Sequence, residues 1–409
     1  MIYINYIVPF LLCFPMISRW IFPSAIETLF VIDFKFYNLY LPDLTLLLYL
    51  YFQRRICLVR KGLWQITFEK KLKLIAFLLI GYTFIIGVAY NNSEILLPLT
   101  SDFSWLWVTI IFVFYPLSKE QMENSKYIVI PTLIILCVET ILYSFGILNY
   151  TSSTGNEIEH QEIANIFRIS TTIGSATGTA FILMILGFIC TSKYKISIML
   201  KIFLYMVTSI SMLLTISRAS IFTWSIYLFT VCLVFYFSKG ITVKKIFFIF
   251  LIFGAFVGSY HLGFFNPLIE RNVQLSYDAN VMTNRDRLFE KALNVVQESH
   301  YMGVGLGQVF PNKDIANCIN SVYKTAPHNC YLVILAELGL WGLALFLFMI
   351  IMMTLQLDFS KAATIGWIGI LLVNFNTEGV ILHSEFWSVV VLFWLNLEKK
   401  NENIIHMHA

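Results

Sequence analysis

Charged residues are scarce in this chain. Only 13% of its 409 residues are charged, whereas 58% are hydrophobic. A soluble domain carries roughly 25% charged residues, so a protein surrounded by water on all sides is excluded. The apolar runs do not alternate in polarity over segments of about ten residues, which excludes a membrane β-barrel.

Three kinds of functional motif are also missing. No Cys/His cluster has the spacing of a metal site, and the loops predicted to face outward contain no Asp-x-Asp pair. The net charge of +4 is not gathered into a basic stripe for nucleic acid. The glycine-rich segment Gly303–Gly307 follows a helix-like segment and not a strand, so a flexible turn fits it better than a dinucleotide site. We therefore expect no metal, no cofactor and no nucleic-acid partner.

Long apolar runs are abundant, and runs of about 20 residues are typical of membrane-spanning helices. The sequence predicts an all-α polytopic membrane protein with about 12 transmembrane helices. The stretch 20–34 is short and is either re-entrant or part of a longer first hairpin. The N-terminus lacks a basic region and an Ala-x-Ala cleavage site, so the first run is interpreted as a retained helix. The predicted spans are 2–18, 37–53, 73–90, 104–117, 127–149, 170–191, 196–215, 219–237, 245–263, 329–354, 362–376 and 380–396.

The lysines and arginines predict the orientation. They are concentrated in the connections that follow even-numbered spans, which places both termini in the cytoplasm. The long polar loop 264–328 then faces outward, which in a bacterium is the periplasm. The predicted organisation is a transmembrane bundle over 1–263, a periplasmic loop with short helices and catalytic elements over 264–328, transmembrane helices over 329–396 and a cytoplasmic tail over 397–409.

Two of the seven cysteines, Cys318 and Cys330, lie in or at the edge of this outward loop. The other five lie in or near predicted spans. In an oxidising compartment the two can form a disulfide, and the alternative is a pair of thiols.

Four cationic residues that are distant in sequence lie on the outward face in this topology. Ionisable groups at the edges of apolar spans are functional candidates. A charge there can also simply reach the headgroups, but four on one face favour a function. They are Arg168, Arg218, Arg285 and His328.

Arg218 follows a connection of almost no length between two spans. Ser217 is predicted to be the N-cap, which places Arg218 in the first helical turn. A helix N-terminus presents unpaired N–H groups and a partial positive charge. With a guanidinium beside them, these groups suit a phosphate.

Arg285 and Arg287 are separated by helix phase. If Thr283 caps a helix with Asp286 at the third position, Arg285 shares the packed face and Arg287 lies on the solvated face. The alternative for Arg285 is a structural ion pair. The expected packed face contains Phe289, Ala292, Leu293 and Val296.

His328 is the candidate general base, because its side chain titrates near neutral pH. The alternative is a histidine that hydrogen-bonds at a helix start. Asn329 either orients it or caps the following helix. His383 and Glu385, near the outer end of the last hairpin, are weaker candidates.

Several of these motifs, taken in order, resemble the bacterial O-antigen ligase and O-antigen polymerase superfamily. One departure is Phe289, where the family often has Trp. The matching pieces are Arg168–Ser170 with Gly174–Gly178, Thr215–Ala219, Asn284-Arg285 with Phe289, Gly303–Gly307, Pro327–Leu332 and Glu337–Gly342.

The resemblance implies an inverting, metal-independent glycosyltransferase of the membrane-embedded C class. Its donor is a polyprenyl-diphosphate-linked oligosaccharide, and Arg218 and Arg285 would hold the diphosphate. His328 would take the proton from the acceptor hydroxyl. The remaining candidates would bind substrate: Arg168, Asn329 and His383.

The resemblance leaves the acceptor open. The arrangement of Pro327–Leu332 and Glu337–Gly342 favours a polymerase, whose acceptor is another lipid-linked repeat; the alternative is a ligase acting on lipid A-core. A flippase is the competing class, and Glu139 is the clearest charge deep in a span, yet transporters place their sites near the midplane. The further implications are the bacterial inner membrane, a periplasmic active site, contact with membrane lipids and a chain-length regulator as partner.

Overall fold

Helices make up most of the part of the chain that the computed structural model describes. Two short antiparallel hairpins accompany them, so the predicted all-α class holds apart from these two-stranded pairs. The described residues are 10–11, 32–34, 37–39, 48–52, 70–90, 117, 119–148, 161–163, 166–168, 176–192, 194–237, 279–305, 329–377 and 384–397.

The elements, in chain order, are as follows. The strands are β1 Ile32–Phe34, β2 Tyr37–Leu39, β3 Gln161–Ile163 and β4 Ile166–Arg168. The helices are α1 Lys70–Tyr90, α2 Lys119–Asn124, α3 Lys126–Ser144, α4 Ala176–Ser192, α5 Ile198–Thr215, α6 Arg218–Phe237, α7 Ala279–Glu298, α8 Cys330–Leu355, α9 Ala362–Gly369, a π-helical segment Ile370–Asn374, α10 Phe375–Thr377 and α11 Ser384–Asn396.

Three of these helical segments are long and apolar enough to cross a membrane: Glu120–Ser144, Ile198–Thr215 and Cys330–Leu355. Shorter apolar helices cover 176–192, 218–234 and 362–374. The chain is therefore a membrane protein, as its composition predicts. The count of about 12 spans and the large periplasmic loop stay predictions, because most of 2–18, 104–117, 245–263 and 264–328 lies outside the described residues.

The predicted span 37–53 is wrong at its beginning. Residues 37–39 form β2, which pairs with β1 so that Asp33 lies opposite Asn38. These two polar residues interrupt the apolar run, while the neighbouring aromatic and β-branched residues favour a strand. The end of the stretch 20–34, left open by the sequence, is β1.

The chain divides into two compact units. The first comprises Met1–Thr132, Thr283–Leu357 and Phe375–Ala409, and the second comprises Leu133–Met282 and Asp358–Asn374.

In the second unit α4 is the central helix, buried along nearly its whole length. It packs against α5, α6 and α9. Small residues permit the close approach: a Cβ on Gly187 would lie 2.8 Å from the Trp224 ring. The small residues at the beginning of α4 are packed as well, because Ala176, Gly178 and Ala180 are all buried.

In the first unit α8 packs against α1 and against α10. It is kinked at Gly339, whose φ of 69° and ψ of −170° are not helical. An aromatic cluster holds α8 to the following elements, because these side chains gain dispersion energy and favourable ring geometry. Its members are Tyr331, Phe346, Phe375 and Trp387.

Candidate functional site

The start of α6 follows a very tight connection. Ile216 adopts the left-handed conformation, with φ 53° and ψ 30°, and its N–H donates to Leu213 O. Two residues later α6 begins at Arg218. The carbonyl of Ser217 accepts the first helical bond from Ile221 N–H at 3.0 Å, so Ser217 occupies the N-cap position as predicted. Ser217 is buried, whereas Arg218 is exposed at the helix end.

The buried side of the same helix start is held by Asn374. Ser220 Oγ donates to Asn374 Oδ1 at 3.2 Å, and Asn374 Nδ2 donates to Thr223 Oγ1 at 2.9 Å. Asn374 Nδ2 also lies 3.9 Å from Met184 Sδ. Sequence reasoning missed Asn374, although a polar residue within the apolar run 362–376 was a usable signal.

The contact between Asn374 and the start of α6 also bears on topology. Asn374 ends the segment that follows α9, and Arg218 begins α6. These two ends therefore lie on the same side of the second unit. The predicted topology puts both ends on the outward face, and the contact agrees with it.

The predicted cap of the Arg285 helix is wrong. Helix α7 begins at Ala279, so Thr283 lies in its second turn and cannot cap its first N–H groups. The helix starts one turn earlier because residues 279–282 have no glycine or proline to stop it. Arg285 therefore lies within the helix and not at its N-terminus.

The packed face of α7 agrees with the prediction in part. Ala292 and Val296 are buried, but Leu293 is 46% exposed, so its placement on this face was wrong. The face is centred instead on Ala292, Val295 and Val296, which pack with Ala336 and with the partly buried Val304 and Leu335. The buried face of α7 is therefore rotated by part of a turn from the predicted face.

Helical register still distinguishes the two arginines. Position 285 precedes Ala292 by seven residues, about two turns, and so belongs to the buried row. Position 287 precedes Asn294 by the same interval, and Asn294 is exposed, as are Glu290 and Glu298. That Arg285 is packed and Arg287 is solvated stays a prediction.

The end of α7 is locked to α8 by backbone hydrogen bonds. The kink at Gly339 removes helical bonds from α8, and the freed groups bond residues 301–305 instead. Leu340 N–H donates to Tyr301 O at 2.8 Å rather than to Ala336 O. Ala336 O and Glu337 O in turn accept Val304 N–H at 3.1 Å and Gly305 N–H at 2.8 Å.

Glycine is required on both sides of this interlock. Gly303 has φ 85°, and a Cβ there would lie 2.5 Å from Glu337 O. Gly339 has φ 69°, and a Cβ there would collide with Tyr301 O and the Met302 backbone. The interpretation of Gly303–Gly307 as a flexible turn is therefore wrong for its described residues 303–305, because their backbone is hydrogen-bonded to α8.

Asn329 is the N-cap of α8, one of the two roles predicted for it. Its side chain accepts Leu332 N–H at 3.0 Å, and its Nδ2 donates to Asn376 Oδ1 at 3.3 Å. These bonds hold the residue that directly follows His328. Cys330 is a buried thiol, so the suggested disulfide is not formed in this structure; Cys318 lies outside the described residues.

The other predicted site residues are described less fully. Arg168 ends β4 and pairs with Gln161, ahead of α4. His328 and His383 lie outside the described residues. Arg168 and Arg218 belong to the second unit, and Arg285 and Asn329 belong to the first. That these residues serve one site stays a prediction.

Residues 202–347 match the family model described as O-antigen ligase. This segment, called the O-antigen ligase family segment, is similar to that family. The resemblance to the O-antigen ligase and polymerase superfamily is thereby confirmed. The match covers less than half of the chain and includes Arg218, Arg285, His328 and the glycine interlock. No curated protein sequence matches the chain.

The O-antigen ligase family segment has one described feature with clear chemical capacity. At the start of α6 the exposed Arg218 lies at a helix N-terminus, and the N-terminal end of a helix also attracts anions. This combination suits a phosphate or diphosphate group. Asn374, which holds the buried side of that helix start, lies outside the matched segment.

Proposed function

We propose that the protein is a surface-polysaccharide polymerase, a metal-independent inverting glycosyltransferase. It transfers a glycan from a polyprenyl-diphosphate donor to a sugar hydroxyl of another lipid-linked repeat. The observation that carries the proposal is the exposed Arg218 at the N-terminus of α6, inside the O-antigen ligase family segment. A diphosphate is an anion of the kind that such a helix end binds.

Arg218 and Arg285 act on the leaving group. As the bond between the anomeric carbon and the diphosphate oxygen breaks, negative charge accumulates on the diphosphate. Fixed guanidinium groups and helix N–H groups stabilise that charge more than they stabilise the intact donor, which lowers the barrier. The released product is the polyprenyl diphosphate.

His328 acts on the acceptor. Its neutral imidazole takes the proton from the attacking hydroxyl while the oxygen forms the new bond to the anomeric carbon. Attack from the side opposite the leaving group inverts the configuration. Asn329, the next residue along the chain, caps the helix that begins at Cys330. Arg168 and His383 bind the substrates, and no metal takes part.

The proposal places the reaction at the periplasmic face of the bacterial inner membrane, where the lipid-linked substrates are embedded. A chain-length regulator is the expected protein partner. Transfer to lipid A-core by a ligase is the second candidate, and the description of the matched family as O-antigen ligase favours it.

A deletion strain tests the two candidates. If the protein is a polymerase, the surface glycan ladder collapses to a single repeat. If it is a ligase, polymer stays on the carrier lipid and the surface loses glycan. Complementation with the wild-type chain and with Arg218→Ala at equal membrane levels is the control. An unchanged glycan in the deletion strain contradicts both functions.

A further inference from the structure

We propose that Asn374 is a positioning residue for Arg218. It holds the first turns of α6 so that the guanidinium and the helix N–H groups keep one orientation towards the donor diphosphate. The inference rests on the proposed function, because it assigns to Asn374 a role in the same step.

The side-chain amide of Asn374 forms two hydrogen bonds with α6. Its oxygen accepts from Ser220, and its nitrogen donates to Thr223. Ser220 lies two residues after Arg218, within the same turn. Neither an aspartate nor a leucine can accept from one of these hydroxyls and donate to the other.

The three residues joined by these hydrogen bonds are also buried. Asn374, Ser220 and Thr223 are almost fully buried, with 0%, 0% and 1% of their surfaces exposed. Buried polar groups need their partners, because desolvation is not repaid when a bond is missing. The three side chains therefore constrain one another, and the exposed Arg218 extends from the turn that they constrain.

The backbone that leads to Asn374 also packs closely against α6. Asn374 ends a π-helical segment, Ile370–Asn374, and such segments occur frequently at functional sites. Just before it, a Cβ on Gly369 would lie 2.7 Å from Thr223 Cγ2, so the backbone at Gly369 packs closely against the Thr223 side chain. The segment thus contacts α6 within its first two turns.

The test uses the full-length protein, with donor and acceptor kinetics measured separately. We expect Asn374→Leu to lower kcat by about tenfold or more, as for a displaced charge-stabilising group. The acceptor KM should stay within about twofold, since Arg218 acts on the donor. The matched control is Asn396→Leu: Asn396 is also buried and donates to Leu392 O, but in α11. Equal losses in the two variants overturn the proposal.

A double-mutant cycle separates positioning from general disruption. In an Arg218→Lys background, Asn374→Leu should have a much smaller effect, because both changes act on the same contact. If Asn374→Leu lowers kcat by the same factor in that background as in the wild type, the proposal is overturned. If Asn374→Leu does not accumulate in membranes, Ser220→Ala and Thr223→Val take its place in the cycle, because each removes one of the two bonds. Wild-type kcat in both of these variants also overturns the proposal.

The two levels of proposal fail differently. Wild-type transfer by Arg218→Ala contradicts the diphosphate role of Arg218 in the proposed function. Loss of transfer in Arg218→Ala, combined with an Asn374→Leu variant that behaves like Asn396→Leu, contradicts only the positioning role.

Discussion

The helices that carry the two proposed diphosphate arginines are held by different means. At the start of α6, side-chain hydrogen bonds from Asn374 reach the same turn as Arg218. Helix α7 is instead locked at its far end, where the backbone of residues 301–305 bonds the kinked α8. A substitution can remove one side-chain hydrogen bond and leave the others. A substitution of either glycine in the backbone interlock instead adds a Cβ that collides with the opposite backbone. The first region should therefore tune activity, and the second should determine whether its unit folds.

The largest effect is expected from Gly339→Ala. The added Cβ would collide with the backbone of residues 301–302, and alanine is strained at a φ of 69°. Together these cost several kcal/mol, about 1–3 of them from the backbone conformation alone. The purified protein should unfold at a much lower temperature and lose transfer. Gly81→Ala is the control, because nothing lies within 4 Å of a Cβ there; equal stability of the two variants would show that the interlock is not required.

The next largest effect is a loss of activity without a loss of fold. Arg218→Ala, Arg285→Ala and His328→Ala should each lower transfer by about 10²-fold or more, because each removes transition-state stabilisation or the base. Membrane levels and unfolding temperature should match the wild type, unlike those of Gly339→Ala. Transfer assays on membranes with matched protein content measure the effect, and wild-type rates in all three would refute the site assignment.

A moderate effect is expected from Asn329→Ala, which removes the cap of α8. Loss of an N-cap costs about 0.5–2 kcal/mol, here with an additional bond to Asn376. Transfer should fall while the chain stays folded, since the residue beside His328 is less restrained. Asn329→Asp keeps the capping oxygen and should recover most of the activity; a silent Asn329→Ala would remove this support for the histidine.

A small effect is expected from Arg287→Ala. Position 287 shares a helical row of α7 with the exposed Glu290 and Asn294, so we expect its charge to be solvated. Exposed charges contribute about 0–1 kcal/mol. Transfer should stay within about twofold of wild type. A strong loss here together with an active Arg285→Ala would mean that the functional row of the helix has been misidentified.

No effect is expected from removal of divalent metal. The proposed mechanism stabilises the diphosphate with arginines and helix N–H groups, so a chelator leaves the transfer rate unchanged. Activity that falls with chelator and returns with Mg²⁺ or Mn²⁺ would contradict a metal-independent reaction. Chelated and untreated samples of the wild-type chain suffice for the measurement.

The sequence predicted the bounds of helices well where a long apolar run ends at polar residues. The bounds of α5 and α6 differ from the predicted spans by only one or two residues, because the Ser217-Arg218 step is a strong local signal. Prediction failed where local signals competed. Thr283 and Asp286 have the spacing of a capping box, but nothing before them stops the helix from starting at Ala279.

The sequence by itself determined the membrane class, the cap at Ser217 and the resemblance to the O-antigen ligase and polymerase superfamily. These follow from composition and from short local patterns. Only the tertiary structure decided that Gly303 fits against the kink at Gly339 and that Asn374 bonds the Arg218 helix. Both depend on residues more than 30 positions apart, and a glycine or an asparagine looks the same in sequence whether or not a partner lies against it.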